Sequence, residues 1–237
     1  MQALKRAALR LLRFPGPTLN TASSRNMRAL GARLAGHRRD DRLRVLNVGG
    51  GGRALPANDV GRGVVDATIY LDIRRTPLVG VVGDALALPF ADGSVDAALS
   101  LAVLEHVRDP ELSVAEMLRV LKPNGLVYCE VPFLQAYHAA PHDYTRYTNS
   151  GMRRLFRDFD EIDLGVCTGP SSALSWILRR YLAGLLTGFS DNRRAKFLAE
   201  FVAAWLTFPI KYLDYLFAGR PAAPEIASAF YFLGKKK

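Results

Sequence analysis

Four consecutive glycines, Gly49 to Gly52, directly follow the strand-like run Arg44-Val45-Leu46-Asn47-Val48, and no other stretch limits the fold of this chain as much. β-branched residues favour a buried strand. Glycine permits positive φ and leaves no side chain in the way, so the turn can bring its backbone against a ligand. The rest of the chain is placed relative to this strand and turn.

Downstream, strand-like and helix-like segments alternate. Ile69-Tyr70-Leu71-Asp72 reads as a second strand, Gly80 to Asp84 as a short third, and Val95 to Leu101 as a fourth. Asp109-Pro110 is an N-cap with proline at the first helical position, and Leu112, Ala115, Leu118 and Leu121 are expected to form that helix's apolar stripe. Pro123-Asn124-Gly125 turns the chain into a fifth strand, Leu126 to Val131. A helix over about 150–156, a sixth strand near 162–166 and a last strand, Phe230 to Leu233, come after it. Strands alternating with helical crossovers imply a parallel sheet covered on both faces.

Upstream, residues 3–13 read as a basic amphipathic helix stopped by Pro15-Gly16-Pro17, and residues 22–36 as a helix with Met27, Leu30 and Leu34 on one face. The net charge of +10 comes almost wholly from residues 1–39, which hold nine bases and no acid. The basic balance is therefore no argument for nucleic-acid binding by the remainder, and none is expected. The arm reads as a docked helix or as a peripheral contact with an anionic membrane. Cys129 and Cys167 are too few for a disulfide framework or a metal cluster, and no metal site is expected. With no apolar run long enough for a span and no signal-peptide pattern, the expectation is a cytoplasmic protein, peripheral to the membrane if the arm binds one.

In an open parallel sheet the ligand lies beyond the carboxyl ends of the strands, where Asn47, the glycines, Asp72, Asp84 and the residues after Leu101 all fall. Asp72 comes 23 residues after Gly49, the position from which a carboxylate can accept both hydroxyls of an adenosine ribose. Asp84 with Ala85 and Leu86 offers a polar edge beside an apolar wall for a base. Gly49, Gly51 and Ala54 also match a dinucleotide fingerprint, but Arg53, Pro56, Gly61 and Gly63 make a poor helix behind it. A cofactor without a pyrophosphate fits better, and S-adenosylmethionine is of that kind.

The run Val45 to Gly52, Leu71-Asp72, Gly83 to Asp96, Leu104-Glu105-His106-Val107 and Arg119 to Gly125 resembles the class I S-adenosylmethionine-dependent methyltransferases, in the type 11-like, small-molecule branch that includes quinone-biosynthesis enzymes. The resemblance implies a Rossmann-like α/β fold: a doubly wound, mostly parallel seven-stranded sheet with a C-terminal antiparallel strand. The domains would be a basic arm over 1–40, the cofactor domain over 41–169 and 226–237, and a helical cap insertion over 170–225. It implies a cofactor site of Asn47, Gly49, Gly50, Gly51, Asp72, Ile73, Asp84, Ala85, Leu86 and Leu101. Two positions depart from the family: Asn47 stands where it has Asp, and Arg53 where it has a third glycine.

On the acceptor side the unusual stretch is Pro141-His142-Asp143-Tyr144-Thr145-Arg146 with His138 before it, in a loop able to fold over the crevice. Methyl transfer needs alignment and removal of one proton. His142 is the expected base and Asp143 its orienter or alternative. His138, Tyr144, Arg146, Glu105 and His106 are the expected substrate contacts, with Arg146 as anion clamp. The other reading of Asp143 and Arg146 is a structural pair.

The expected activity is methyl transfer to a small or lipid-linked acceptor, at oxygen. The rivals are a cofactor-binding module without turnover and an NAD-dependent oxidoreductase. Residues 171–217 carry ten of the 23 aromatics with six bases against three acids, which suits a helical cap and, secondarily, a membrane-surface patch.

Overall fold

The computed structural model describes residues 15–36, 43–138 and 141–237. The expected basic helix over 3–13 lies outside them. The described residues form two compact units, one comprising 22–36, 43–133, 137–138, 141–167 and 229–237, the other 15–21, 134–136 and 168–228.

The first unit is built on a seven-stranded sheet. In chain order its elements are α1 (Ser23–Gly36), β1 (Val45–Val48), α2 (Ala57–Val60), α3 (Arg62–Asp66), β2 (Thr68–Asp72), β3 (Val81–Val82), β4 (Val95–Leu101), α4 (Pro110–Val120), β5 (Leu121–Pro132), α5 (Asn149–Leu155), β6 (Phe159–Thr168) and β7 (Ala229–Lys236). The strand order is β3-β2-β1-β4-β5-β7-β6. β1 pairs in parallel with β2 and β4, β4 pairs in parallel with β5, and β7 runs antiparallel to β5. This is the mostly parallel, doubly wound sheet with an antiparallel late strand that the sequence implies, and β1, buried at all four positions, lies in its interior.

The core of this unit gathers Met27, Leu30 and Leu34 of α1 with Val45, Leu99, Tyr128 and Tyr231 of the sheet. α1, which the sequence groups with the basic arm, thus packs on the sheet. Inside the core Asn26 donates through Nδ2 to the Tyr128 hydroxyl at 3.1 Å, and that hydroxyl donates to Glu130 Oε1 at 2.6 Å. Burial, with the Glu130 carboxylate beside it, pushes the Tyr128 phenol well above its ordinary pKa. Both cysteines are buried free thiols.

α4 begins as expected: Asp109 Oδ1 accepts from the Leu112 amide at 3.0 Å, and Pro110 is the first helical residue. Its inward face differs from the expected stripe. The buried positions are Pro110, Ser113, Val114, Met117 and Val120, while Leu112 is 44% exposed. Anchors outside the hydrophobic pattern set the helix rotation. Arg119 donates to the carbonyls of Leu88 at 2.9 Å and Phe90 at 2.8 Å, and Glu116 accepts from the Leu88 amide at 2.8 Å. Lys122 to Gly125 then form an excursion within β5, with Asn124 at φ +63, between the register pairs Val95 with Leu121 and Ala97 with Leu126.

The second unit is helical: α6 (Pro170–Thr187), α7 (Arg193–Thr207) and α8 (Asp214–Phe217). Gly188 caps α6 in the left-handed region at φ 59, and Pro209 lies in the 3₁₀ turn after α7. Small residues make its core, Ala183, Ala199 and Ala203 with Leu182 against them. The N-terminus of α6 has no side-chain cap from Gly169. Instead the buried Asp214 carboxylate accepts from the amides of Ser171 at 2.8 Å and Ser172 at 2.9 Å, placing an anion where the helix dipole is positive. Among the described residues no helix is long and apolar enough to cross a membrane.

Candidate functional site

The ends of β1, β2, β3 and β4 enclose a cavity of about 550 Å³, the size of a nucleoside-containing ligand. Gly49, Asp72, Ile73, Asp84, Ala85 and Leu86 of the expected cofactor set line it, together with His106 and Tyr144 of the expected substrate contacts.

Asn47, Gly50 and Gly51, also of the expected cofactor set, are not among the lining residues; they lie at the end of β1 and in the turn that follows it. Gly49 has φ +73, and a Cβ there would stand 2.5 Å from both methyls of Val103. A Cβ on Gly50 would meet Asn47 Nδ2 at 2.6 Å, and one on Gly51 would meet Asp72 Oδ2 at 2.7 Å. Gly50 and Gly51 are thus required by the two polar side chains that close over them, and Gly49 by its positive φ and by Val103. Asn47 is 2% exposed, and its Oδ1 is a buried acceptor without a hydrogen-bond partner among the described residues, an unfilled site for an ammonium or amide donor.

Asp72 is held at the rim: Oδ2 accepts from the Gly51 amide at 3.1 Å and Oδ1 from the Arg74 amide at 2.9 Å. An ionised carboxylate has about four lone-pair sites, so two acceptor positions remain for a pair of hydroxyls. Asp84 Oδ1 accepts from the Leu86 amide at 2.9 Å, which fixes the turn that presents Ala85 and Leu86. These groups fit an adenosine-containing, amino-acid-bearing cofactor such as S-adenosylmethionine.

They do not fit a dinucleotide. The Gly49 amide donates to the Leu71 carbonyl at 2.8 Å and the Gly51 amide to Asp72, so neither points at a pyrophosphate. Beyond Gly49 the chain continues as a 3₁₀ segment, Gly50–Gly52, and only later as the four-residue α2, so no α-helix begins at the glycines.

Leu101 is not among the lining residues; it packs against the hydrophobic core, and the next two residues, Ala102 and Val103, reach the cavity instead. Ala102 adopts φ 54, a region costly to a residue with a Cβ, and its amide donates to the Glu130 carbonyl at 2.9 Å. Arg74 and Arg108 also line the cavity and escaped sequence reasoning; their positions shortly after strand ends were the available signal.

The loop after β5 brings its residues together in a different arrangement from the expected one. Asp143 and Arg146 form a two-pronged ion pair, Arg146 Nη1 on Oδ1 and Nη2 on Oδ2 at 2.6 Å, and Asp143 Oδ2 also accepts from the His138 amide at 2.8 Å. The Arg146 guanidinium, aided by that amide, holds the Asp143 carboxyl down at about 2. A carboxylate so engaged is a loop anchor and a poor proton acceptor at neutral pH. Arg146, which it occupies, is no free anion clamp. The pair matches the structural reading of these two residues.

His142 is exposed, with its ring centroid 5.3 Å from that of Tyr144 and Pro141 and Tyr144 lining the cavity on either side of it. Its carbonyl oxygen lies 2.6 Å from His106 Nδ1. Behind the cavity wall Glu105 is 1% exposed, with Oε1 at 3.8 Å from His106 Nε2 and 3.9 Å from His138 Nε2. The Tyr144 amide donates to the Glu105 carbonyl at 2.7 Å, tying the loop to the segment after β4.

Comparison with known proteins bears on the same region. Residues 49–129 match the family described as "Methyltransferase domain". The demethylmenaquinone methyltransferase of Renibacterium salmoninarum is 42% identical over 90 residues, 35% of this chain and 38% of that protein. That of Thermobifida fusca is 33% identical over 133 residues, 55% of this chain and 43% of that protein. The chain therefore spans less than half the length of these curated relatives. Among solved structures, coclaurine N-methyltransferase bound to N-methylheliamine and S-adenosylhomocysteine superposes with a TM-score of 0.52 at 16% identity, covering 92% of this chain and 74% of that one, which establishes a shared fold.

Proposed function

We propose, from the premise that this chain carries a class I S-adenosylmethionine-dependent methyltransferase domain, that it transfers the cofactor's methyl group to an oxygen of a small or lipid-linked acceptor. The observation that carries this reading is the cavity at the strand ends, lined by Gly49, Asp72, Asp84, Ala85 and Leu86, where the Asp72 carboxylate accepts from only two backbone amides; Asn47 Oδ1, buried at the end of β1, lacks a partner among the described residues. S-adenosylmethionine supplies a methyl group already activated by a sulfonium. Asp72 would take the ribose hydroxyls, Asn47 the amino group, and Ala85 and Leu86 the face of the adenine. His142, exposed beside Tyr144 at the rim, is the candidate to take the acceptor's proton, and Asp143 and Arg146 hold the loop that presents it.

Two observations support a lipid-linked acceptor. Both curated relatives are named for demethylmenaquinone, a lipid-linked quinone. In the helical unit the small residues face inward, while Leu174, Ile177, Tyr181 and Leu185 of α6 and Leu198, Val202 and Leu206 of α7 are exposed at helical spacing. Exposed apolar stripes of this kind, on helices that also expose Arg180, Arg193 and Arg194, suit the surface of an anionic bilayer.

The test is methyl transfer from labelled S-adenosylmethionine into a lipid extract and a polar extract of the source cells. His142→Ala should slow product formation by about a hundredfold or more with affinity for S-adenosylhomocysteine unchanged. Tight S-adenosylhomocysteine binding with no labelled product in either extract would favour a cofactor-binding module. Full turnover in His142→Ala at every pH from about 6 to 9 would remove the base assignment.

A further inference from the structure

The geometry points to a divalent transition-metal site formed by Glu105, His106 and His138 in the wall of the cavity. One oxygen of Glu105 and one nitrogen of each histidine lie within 4.8 Å of one another. Glu105 is 1% exposed, and neither of its carboxylate oxygens has a hydrogen-bond partner among the described residues. A buried carboxylate left in that state is costly, so the cluster calls for a cation at its centre.

His106 is oriented for a metal ion. A carbonyl oxygen only accepts, so the 2.6 Å contact from His142 O puts the proton of His106 on Nδ1 and the lone pair on Nε2, which faces Glu105 Oε1 at 3.8 Å. A lone pair and a carboxylate do not face each other without positive charge between them. A shared proton would draw the two atoms to about 2.7–3.0 Å. An ion bonded to each at about 2.1 Å spans the observed distance at an angle near 130°. His138 Nε2 stands off the same oxygen at a similar 3.9 Å. Its Nδ1 lies 3.4 Å from Arg146 Nη2, which only donates, so without an ion Nδ1 accepts and the proton is on Nε2; an ion bound at Nε2 releases that proton to solvent.

Two imidazoles and one carboxylate suit zinc or a neighbouring first-row ion and leave coordination positions open. His106 is itself a lining residue of the cavity, so an ion there would stand where an oxygen donor of an acceptor could complete its coordination. The ion's part in holding an acceptor rests on the methyl-transfer reading; metal binding itself is independent of it.

The test is zinc binding by the full chain, measured by calorimetry and by metal content after dialysis, with S-adenosylhomocysteine binding followed in parallel. The wild type should bind one zinc ion per chain. Glu105→Gln and His138→Ala should each weaken it by at least about a hundredfold, the upper end of what losing a mere outer-shell partner costs. His142→Ala should keep it, because only the main chain of that residue touches the cluster. His138→Ala, at a partly exposed position, keeps the test valid if Glu105→Gln does not fold. A wild-type protein that binds S-adenosylhomocysteine but no stoichiometric zinc would overturn the site, as would equal zinc binding by all three variants. Zinc binding without S-adenosylhomocysteine binding would uphold the site and sink the methyl-transfer reading.

Discussion

Replacing Asp72 measures directly whether the cavity is a ribose site. Two of the carboxylate's acceptor positions are taken, by the Gly51 amide at 3.1 Å and the Arg74 amide at 2.9 Å, and the residue lines the cavity. A hydrogen bond to a charged group contributes about 1.5–3 kcal/mol, so Asp72→Ala should weaken S-adenosylhomocysteine binding by about 10- to 150-fold. Asp72→Ala also strips the Gly51 amide of its acceptor, which could loosen the turn and mimic that loss. Asp72→Asn separates the effects. It keeps one acceptor oxygen, but its amide nitrogen must face one of two donors, Gly51 N or Arg74 N, so it should fall between wild type and alanine in affinity. Calorimetric titration gives the affinities, and thermal unfolding without ligand shows whether the turn has changed. Alanine and wild type binding S-adenosylhomocysteine within twofold of each other would refute the ribose assignment.

Three further outcomes are expected. Asp143→Asn should destabilise the protein at pH 7 by about 2–3 kcal/mol, the equivalent of holding a carboxyl at about 2 against an ordinary 3.8. Because that pKa is depressed, the wild-type advantage should be complete above about pH 5 and vanish as pH falls from about 4 to 2; urea unfolding of both proteins, with a chelator present, checks the window. Asp214→Ala, which uncovers the amides of Ser171 and Ser172, should cost about 2 kcal/mol or more and lower the protection of the α6 region in hydrogen exchange, leaving S-adenosylhomocysteine affinity intact. Leu185→Asp with Leu206→Asp should abolish cosedimentation with anionic phosphatidylserine vesicles at low salt; no binding by the wild type would withdraw the membrane docking.

The strand-end part of the cavity was legible because its signals are local. Glycines needed for close approach, an acid at a strand end and an Asx turn before an apolar wall act through neighbouring backbone, so Asp72 and Asp84 could be placed from order alone. Side-chain partnerships distant in sequence were not legible. Asp214 caps a helix that begins more than forty residues earlier, and Arg119 turns α4 by reaching the carbonyls of Leu88 and Phe90. The phase of the Leu112 stripe failed for that reason: apolar residues lie on more than one face of α4, and polar anchors choose between them. Glu105 gave no sign of its burial, since a charged residue in a polar-looking run is ordinarily solvated. Asp143 and Arg146 sit in an irregular loop where spacing says nothing of facing, so catalysis and anchoring looked alike.

The place of β7 in the sheet has a consequence for the order of folding. β5 lies between β4 and β7, and its register with β7 runs without a break from Leu126 opposite Lys235 to Pro132 opposite Ala229. β6 is joined to the sheet only across β7. A ribosome that has delivered residues 1–228 has therefore made a sheet whose fifth strand shows a bare edge and whose sixth strand has no place to dock. Closing the long loop between Pro132 and Ala229 is an entropic toll met before any β7 contact repays it. Until then the nascent chain carries an unpaired, apolar strand edge of the kind that recruits other chains, so the yield of this protein in a foreign host should depend on the concentration of nascent chains and on chaperones more than on the final stability of the sheet.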